Sequence, residues 1–384
     1  MNTNSQRSKQ SPISFRFLIL IVVFDITCFI LAVRGLHKME GSYNDSRKAH
    51  VVPVFRQRIN DTGDCTDKEL LLQILADALK NASATEDQTY GNCSALPAWQ
   101  EVIKLYGSKP VILGLEHCAA FRNNVTLQDP LGGLRVAGFY NSGTNALEQT
   151  LLRNLNNADT DGRQELPTVV PWSKHRPLWT AKESYFLEHR HVLPVVVVRD
   201  PYRWMQSMCK TRYDLFWQRN LRLNGIEHCP NLVPSSQDEQ NFNQNRSTFA
   251  VWLRNPIQNS THDSLAALWS RWNGAYLNTS IPRLIVRMED LIFHGPEMVQ
   301  KLSECVGVDR TDPYVFLTEA AKSHGRSADL ATAMIKYGRR DGRYAGMTTL
   351  DLAYARHALS GDLMQALRYE YDDFSLDASP RILW

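Results

Sequence analysis

Leu134-Arg135-Val136-Ala137-Gly138-Phe139-Tyr140-Asn141-Ser142-Gly143-Thr144-Asn145 is the stretch on which the fold turns. Its first five residues read as a short strand, and a turn around Gly143 follows. Leu147, Leu151 and Leu155 then recur at spacing four, the period of a helix buried along one face. Strand, glycine turn and helix together aim backbone N–H groups and the positive helix end at one point, which suits a phosphate-like anion. Gly143 permits close approach of a ligand, and Thr144 can cap the helix and donate to an oxyanion. Taken alone, the segment also fits an ordinary strand-to-helix turn. No Lys follows Gly143, so an ATP or GTP site of the Walker type is disfavoured.

Downstream, the same alternation repeats. Leu193 to Val198 (LPVVVV) is a continuous β-branched run, expected for a strand buried on both faces. It ends in Arg199-Asp200-Pro201, with Ser207 two helical turns further on. Ligands of open α/β sheets bind at the carboxyl ends of strands, which is where Arg199 falls. An ion pair between Arg199 and Asp200 is the structural alternative. A third strand, Arg283 to Arg287, leads into Met288-Glu289-Asp290-Leu291 and a helix opening at Pro296. Lys336 to Arg343 is a basic, glycine-containing loop, and Thr348-Thr349-Leu350-Asp351 is a capping box that opens a helix to about Tyr371. Pro167 to Pro171 adds a short strand before Trp172-Ser173-Lys174-His175-Arg176-Pro177. The expected fold class is α/β, a parallel sheet flanked by helices.

Composition sets outer limits. Of 384 residues, 43% are hydrophobic and 22% charged, ordinary globular values that exclude a mainly disordered or fibrous chain. Net charge is +3, which gives no warrant for a nucleic-acid partner. Mean hydropathy is −0.34, so membrane contact must be confined to one segment. Phe17 to Val33 is that segment, preceded by Arg7, Lys9 and Arg16. Its 17 residues exceed the apolar core of most signal peptides and reach the short end of a spanning helix. Asp25 at its centre costs about 2.5–3.5 kcal/mol on insertion scales. A signal anchor at 17–33, with a cytoplasmic tail at 1–16, is expected; a cleaved signal is the alternative. Either delivers the remainder to the secretory lumen. Sequons at Asn44, Asn60, Asn81, Asn92, Asn124, Asn245, Asn259 and Asn278 agree, against roughly three expected by chance.

Residues 34–130 are polar and sequon-rich and read as a lumenal stem with short helices at Leu70–Leu79 and Trp99–Leu105; 131–384 read as the globular domain. Apart from Cys28 in the apolar stretch, six cysteines remain: Cys65, Cys93, Cys118, Cys209, Cys229 and Cys305. In an oxidising lumen they admit 15 pairings, among which sequence does not choose. No ligand spacing for zinc occurs.

Jointly these segments resemble the sulfotransferases that use 3′-phosphoadenosine 5′-phosphosulfate (PAPS), over about residues 130–372. Tyr140 to Leu147 is similar to that family's Pro-Lys/Arg-x-Gly-Thr-Thr-x-Leu loop in Gly143, Thr144 and Leu147. Arg199-Asp200-Pro201 with Ser207 resembles its second motif, and Arg287 to Leu291 its Arg-Tyr-Glu-Asp-Leu segment. The resemblance implies a P-loop-NTPase-like sulfotransferase fold of the Golgi, single-pass type II kind, with the catalytic domain lumenal. It implies PAPS as sulfuryl donor and no metal. Asn141, Ser142, Gly143, Thr144 and Asn145 would hold the 5′ phosphosulfate, and Arg199 and Ser207 the 3′-phosphate. Arg339, Arg340 and Arg343 would close over that phosphate, and a glycan or glycoprotein would be the acceptor.

One departure stands out. The family's catalytic Lys or Arg, two residues before the loop glycine, is replaced by Asn141. Lys174 is then the substitute cation and His175 the general base, in a segment similar to the family's Lys-Thr-His-x-Pro; Glu148 and Glu183 are alternative bases. On this reading Asn141→Lys restores the missing cation. The acceptor is expected to lie against residues 208–280, where Trp217 and Trp252 are candidate sugar platforms and Trp269 and Trp272, at helical spacing, are core. Protein tyrosine or a small metabolite are other acceptors within the class. A catalytically weakened PAPS-binding protein and a P-loop phosphotransferase are the competing functions.

Overall fold

Three parallel strands carry the glycine turn, the arginine motif and the Glu-Asp motif at their carboxyl ends. In the computed structural model the described residues are 65–371, apart from 81–92, 125–128, 130, 156–167, 218–221, 224–225, 228, 237, 239, 241–247, 256–257 and 320–328. The stretch at 17–33 and the sequons at Asn44, Asn60, Asn81, Asn92 and Asn245 lie outside them. No described helix is long and apolar enough to cross a membrane.

In chain order the described strands are β1 (Ile112–Leu113), β2 (Leu134–Ala137), β3 (Leu193–Val198), β4 (Leu215–Trp217), β5 (Arg222–Leu223), β6 (Ile226–Glu227), β7 (Val251–Asn255), β8 (Gln258–His262) and β9 (Leu284–Arg287). The main sheet has the order β1-β9-β3-β2. Its β2, β3 and β9 run parallel, in register Val136 with Val195 and Val197 with Val286. Every residue of β3 is buried, as a strand covered on both faces requires. β1 pairs antiparallel on the edge of β9, so the sheet is mixed rather than wholly parallel. The strand expected at Pro167–Pro171 is reduced to a single parallel bridge between Val169 and Val136, on the flank of β2 away from β3. The chain therefore leaves β2 to one side and returns as β3 on the other. That reversal puts the turn after β2 at a topological switch point, where α/β sheets open a crevice.

Along the chain, two further sheets are formed between β3 and β9. One is β4-β7-β8 and the other the β5-β6 ribbon.

The stem boundary expected at residue 130 does not match the packing. Leu71 and Leu75 of the helix Glu69–Lys80 and Val102 of the helix Trp99–Tyr106 are 0% exposed and belong to the common core. The backbone carbonyl of Tyr106 accepts a 2.6 Å hydrogen bond from Arg287. A Cys118–Cys305 disulfide joins this segment to the helix Gly295–Val306. Cys65–Cys93 and Cys209–Cys229 complete the pairing of all six cysteines. The polar texture that suggested a stem comes from the outer faces of helices whose inner faces are buried.

Late in the chain the capping box forms as expected, Thr348 and Asp351 each bonding the other's backbone. The single helix expected to about Tyr371 is instead two, Thr349–Ala358 and Gly361–Ala366. Ser360 breaks it because its side chain caps the second helix by accepting from Leu363 N–H.

Candidate active site

The helix Thr144–Asn154 begins at Gly143, whose φ of 97° needs the freedom of glycine, and no side chain caps it. Its first N–H groups accordingly point into the crevice without a protein acceptor. The neighbouring helix Pro201–Lys210 is the opposite case: Asp200 accepts from the N–H groups of Tyr202 and Arg203 and closes that end. Of these two helix starts, only the first lacks a side-chain cap and is open to an anion. Close approach is built in. A Cβ at Gly143 would lie 2.5 Å from Met288, and one at Gly138 2.9 Å from the Val197 carbonyl.

Buried tryptophans fix both loop backbones. Trp204 Nε1 donates to the Tyr140 carbonyl at 2.7 Å, and Trp269 Nε1 to the Arg199 carbonyl at 3.0 Å. Trp269 and Trp272 are 0% exposed, as their helical spacing predicts, and Trp217 is buried as well.

Arg199 joins the motifs together. Its guanidinium, 2% exposed, donates to the Asn141 carbonyl at 3.0 Å and to Tyr337 Oη, with the Tyr337 ring centroid 5.0 Å away. Its Nε is buried without a partner. A buried cation with a spare donor at the rim of an open helix start fits a polyanionic ligand. It makes no pair with Asp200, whose carboxylate is taken by Arg343 at 2.7 Å.

That pairing corrects the sequence reading of Arg343. Expected among the anion ligands, it is itself 2% exposed, neutralised by Asp200 and bonded to Tyr344 Oη. Arg339 donates to the Ala95 carbonyl at 2.7 Å, and Arg340 is exposed. The basic loop is held in place from the helix Pro201–Lys210. Arg203 donates to the Gly342 and Arg339 carbonyls, and Gln206 to those of Gly342 and Arg343. Ser207, on the same helix, is buried beside the loop; its carbonyl accepts from the Asn141 side chain at 3.3 Å.

Asn141 has a definite job. At φ 61° it occupies the left-handed region, which Asn tolerates better than Lys or Arg. Its Nδ2 donates to the Thr211 carbonyl at 2.8 Å as well as to Ser207. Replacing it by Lys breaks these bonds and places a long side chain where the backbone is strained. We expect Asn141→Lys to lower stability by about 1–3 kcal/mol and not to raise activity, read by thermal melting and a sulfate-transfer assay. A gain in turnover would contradict the positioning role and restore the missing-cation reading.

Lys174 and His175 also reach the loop. Lys174 Nζ donates to Asn145 Oδ1 at 2.8 Å and lies 3.6 Å from Glu148 Oε2. Glu148 accepts in addition from the Thr168 hydroxyl. His175 Nδ1 donates to the Gly138 carbonyl at 2.7 Å. A carbonyl can only accept, so the proton sits on Nδ1 and Nε2 is left basic. Burial pushes the imidazole down to about 4, partly opposed by the Gly138 carbonyl, so it is neutral at pH 7. Its ring lies 4.6 Å from that of Tyr140.

Sequence reasoning missed three contributors. Tyr337 sits in the quoted basic loop, but only packing shows it under Arg199. Arg203 and Gln206 are helix residues without a motif. The Tyr140, Tyr213 and Asp214 cluster joins two segments far apart in the chain. Among the described residues, no group of three His, Cys, Asp or Glu side chains gathers as metal ligands.

A scan against protein-family models found no match to this chain. A search of curated proteins found none either.

Proposed function

We propose that this chain is a PAPS-dependent sulfotransferase that moves a sulfuryl group to a hydroxyl of a glycan in the secretory lumen. The observation that carries this reading is the uncapped helix start after β2 with buried Arg199, its Nε unpaired, against the same loop. Two anion-holding elements side by side suit a donor with phosphate-type groups at both ends of one nucleoside.

Sulfuryl transfer, like phosphoryl transfer, proceeds through a loose transition state in which the protein mainly positions and stabilises charge. Amides of Gly143 to Asn145 hold the sulfate oxygens, the Ser142 amide expected among them being engaged by the Phe139 carbonyl at 3.2 Å, and Arg199 and Ser207 hold the 3′-phosphate. His175 Nε2 takes the acceptor's proton as the acceptor oxygen bonds to sulfur; the bond from sulfur to the phosphate oxygen breaks, and the 3′,5′-bisphosphate PAP leaves. Lys174, bonded to Asn145 and 3.6 Å from Glu148, is the candidate cation for the bridging oxygen. The competing reading, a nucleotide-binding protein without turnover, is favoured by the sharing of Lys174 between those two residues. Anchoring through 17–33 would place residues 34–384 in the Golgi lumen.

PAP should stabilise the folded protein without added metal, by roughly 2.7 kcal/mol at a hundred times its dissociation constant. ATP with Mg²⁺ should do much less. Equal shifts from both would overturn the donor assignment. Topology has its own check: Asn259 and Asn278 are exposed, and Asn278 follows the helix Leu265–Leu277. Protein made in a eukaryotic cell should shift on glycosidase treatment, by one step less after Asn278→Gln. No shift in the wild type would contradict the lumenal placement.

A further inference from the structure

Two non-glycine residues in the left-handed region lie in segments bonded to each other, Asn141 and Tyr213, with φ of 61° and 53°, and a third, Ser173 at 78°, turns the chain just before Lys174. Arg368, also positive, merely ends the helix Gly361–Ala366. A bulky aromatic such as Tyr213 pays for that conformation, which packing must enforce. Asn141 supplies part of the constraint through its bond to the Thr211 carbonyl. Tyr140 supplies the rest. Its ring stacks on Tyr213 at 4.9 Å with 10° between planes, and its hydroxyl donates to Asp214 Oδ2 at 2.6 Å.

The outcome is an aromatic ring 43% exposed at the surface, beside a half-buried carboxylate. Asp214 Oδ1 accepts no hydrogen bond among the described residues. Tyr140 connects this pair to His175, on whose imidazole Asp214 also acts electrostatically.

We propose that Tyr213 and Asp214, positioned by Asn141 and Tyr140, form the acceptor subsite, and that its occupant is an uncharged sugar ring. The inference rests on the sulfotransferase reading above. An exposed tyrosine face suits the C–H face of a pyranose, and the free carboxylate oxygen accepts one sugar hydroxyl while a second meets His175 Nε2. A peptide tyrosine has one hydroxyl and would leave Asp214 without a partner. Uronic acids and already sulfated sugars are repelled by the Asp214 charge. The subsite also explains why Asn141 stands where a cation is expected: it ties the loop to the turn that presents the platform.

The test uses the lumenal protein with PAPS. The acceptor panel is neutral oligosaccharides of galactose, mannose and N-acetylglucosamine, the same sugars with a uronic acid, and a tyrosine peptide. Transfer of radiolabelled sulfate is measured together with PAP affinity, and sugar binding is followed by saturation-transfer NMR. Neutral oligosaccharides should be preferred. Tyr213→Ala and Asp214→Asn should each raise their KM about tenfold, the loss expected for one charge-assisted contact or stacked ring. PAP affinity should stay within about twofold, because both residues meet the glycine loop only through the Tyr140 side chain, while Trp204 holds the Tyr140 backbone. Preference for uronic acid or peptide acceptors, unchanged KM in both variants, or PAP binding with no sugar binding would each overturn the subsite alone. Failure of the wild type to bind PAP would instead overturn the sulfotransferase reading.

Discussion

His175→Ala is expected to lower turnover by about 10²–10⁴-fold, the usual loss of a positioned general base. PAP affinity should change little, since His175 meets the loop at the Gly138 carbonyl and the Tyr140 ring and not at the amides that face the anion. The carbonyl partner fixes the tautomer, so Nε2 needs no rearrangement to accept a proton. The ring is neutral at physiological pH because burial holds it near 4. The sign follows: activity requires the unprotonated ring, so it persists as pH falls below neutrality. The acid limb of kcat/KM should appear near pH 4, the value of the free enzyme. A weak base costs some driving force, and an anionic donor beside it raises its affinity for the proton. Near-normal turnover in His175→Ala would move the base to Glu148 or Glu183.

Asp290→Ala should be the most damaging of these substitutions to stability, by about 3–5 kcal/mol, since it strands a buried charge. Both partners of the Arg287–Asp290 pair are 0% exposed, and Arg287 donates to both Asp290 oxygens at 2.8 and 2.7 Å. Arg287 also holds the carbonyls of Tyr106 and Leu367, and Asp290 accepts from Val111 N–H at 2.9 Å. One ion pair thus binds the N-terminal segment, β9 and the C-terminal helices together. Glu289 alongside accepts from Asp200 N–H and Tyr369 Oη, its carboxyl raised to about 7 by burial and the nearby Asp200. The melting temperature should fall on the order of 10 °C. PAP should still bind at temperatures where the variant is folded, because no member of this cluster lines the open helix start. A variant as stable as wild type would show the pair to be dispensable.

Much of this was legible in the chain. β2 and β3 announce themselves by short apolar runs closed by Gly138 and Arg199, and the periodicity after Thr144 gives the helix. Arg199 is legible because it closes a strand, whereas Lys174 and His175 follow only a single bridge and reach the loop through Asn145 and the Gly138 carbonyl. What stayed hidden depends on partners distant in sequence. Arg343 looks like a ligand until Asp200 is seen to neutralise it, and Asn141 looks like a lost cation until Thr211 is seen to receive its amide. Within the expected stem at 34–130, the described helices present polar outer faces while packing through one buried stripe. Its burial depends on Cys305 and Arg287, far downstream.

Calorimetric titration of PAP into the wild-type lumenal protein and into Arg199→Ala, both without metal, addresses the central claim, that the strand ends form a site for a nucleotide with two anionic ends. The wild type should bind one equivalent. Arg199→Ala should lose at least tenfold in affinity, as a charge-assisted phosphate contact is removed. Adenosine 5′-phosphate, lacking the 3′ group, should bind both proteins equally weakly. Wild-type PAP affinity in Arg199→Ala, or no binding to either protein, would contradict the account.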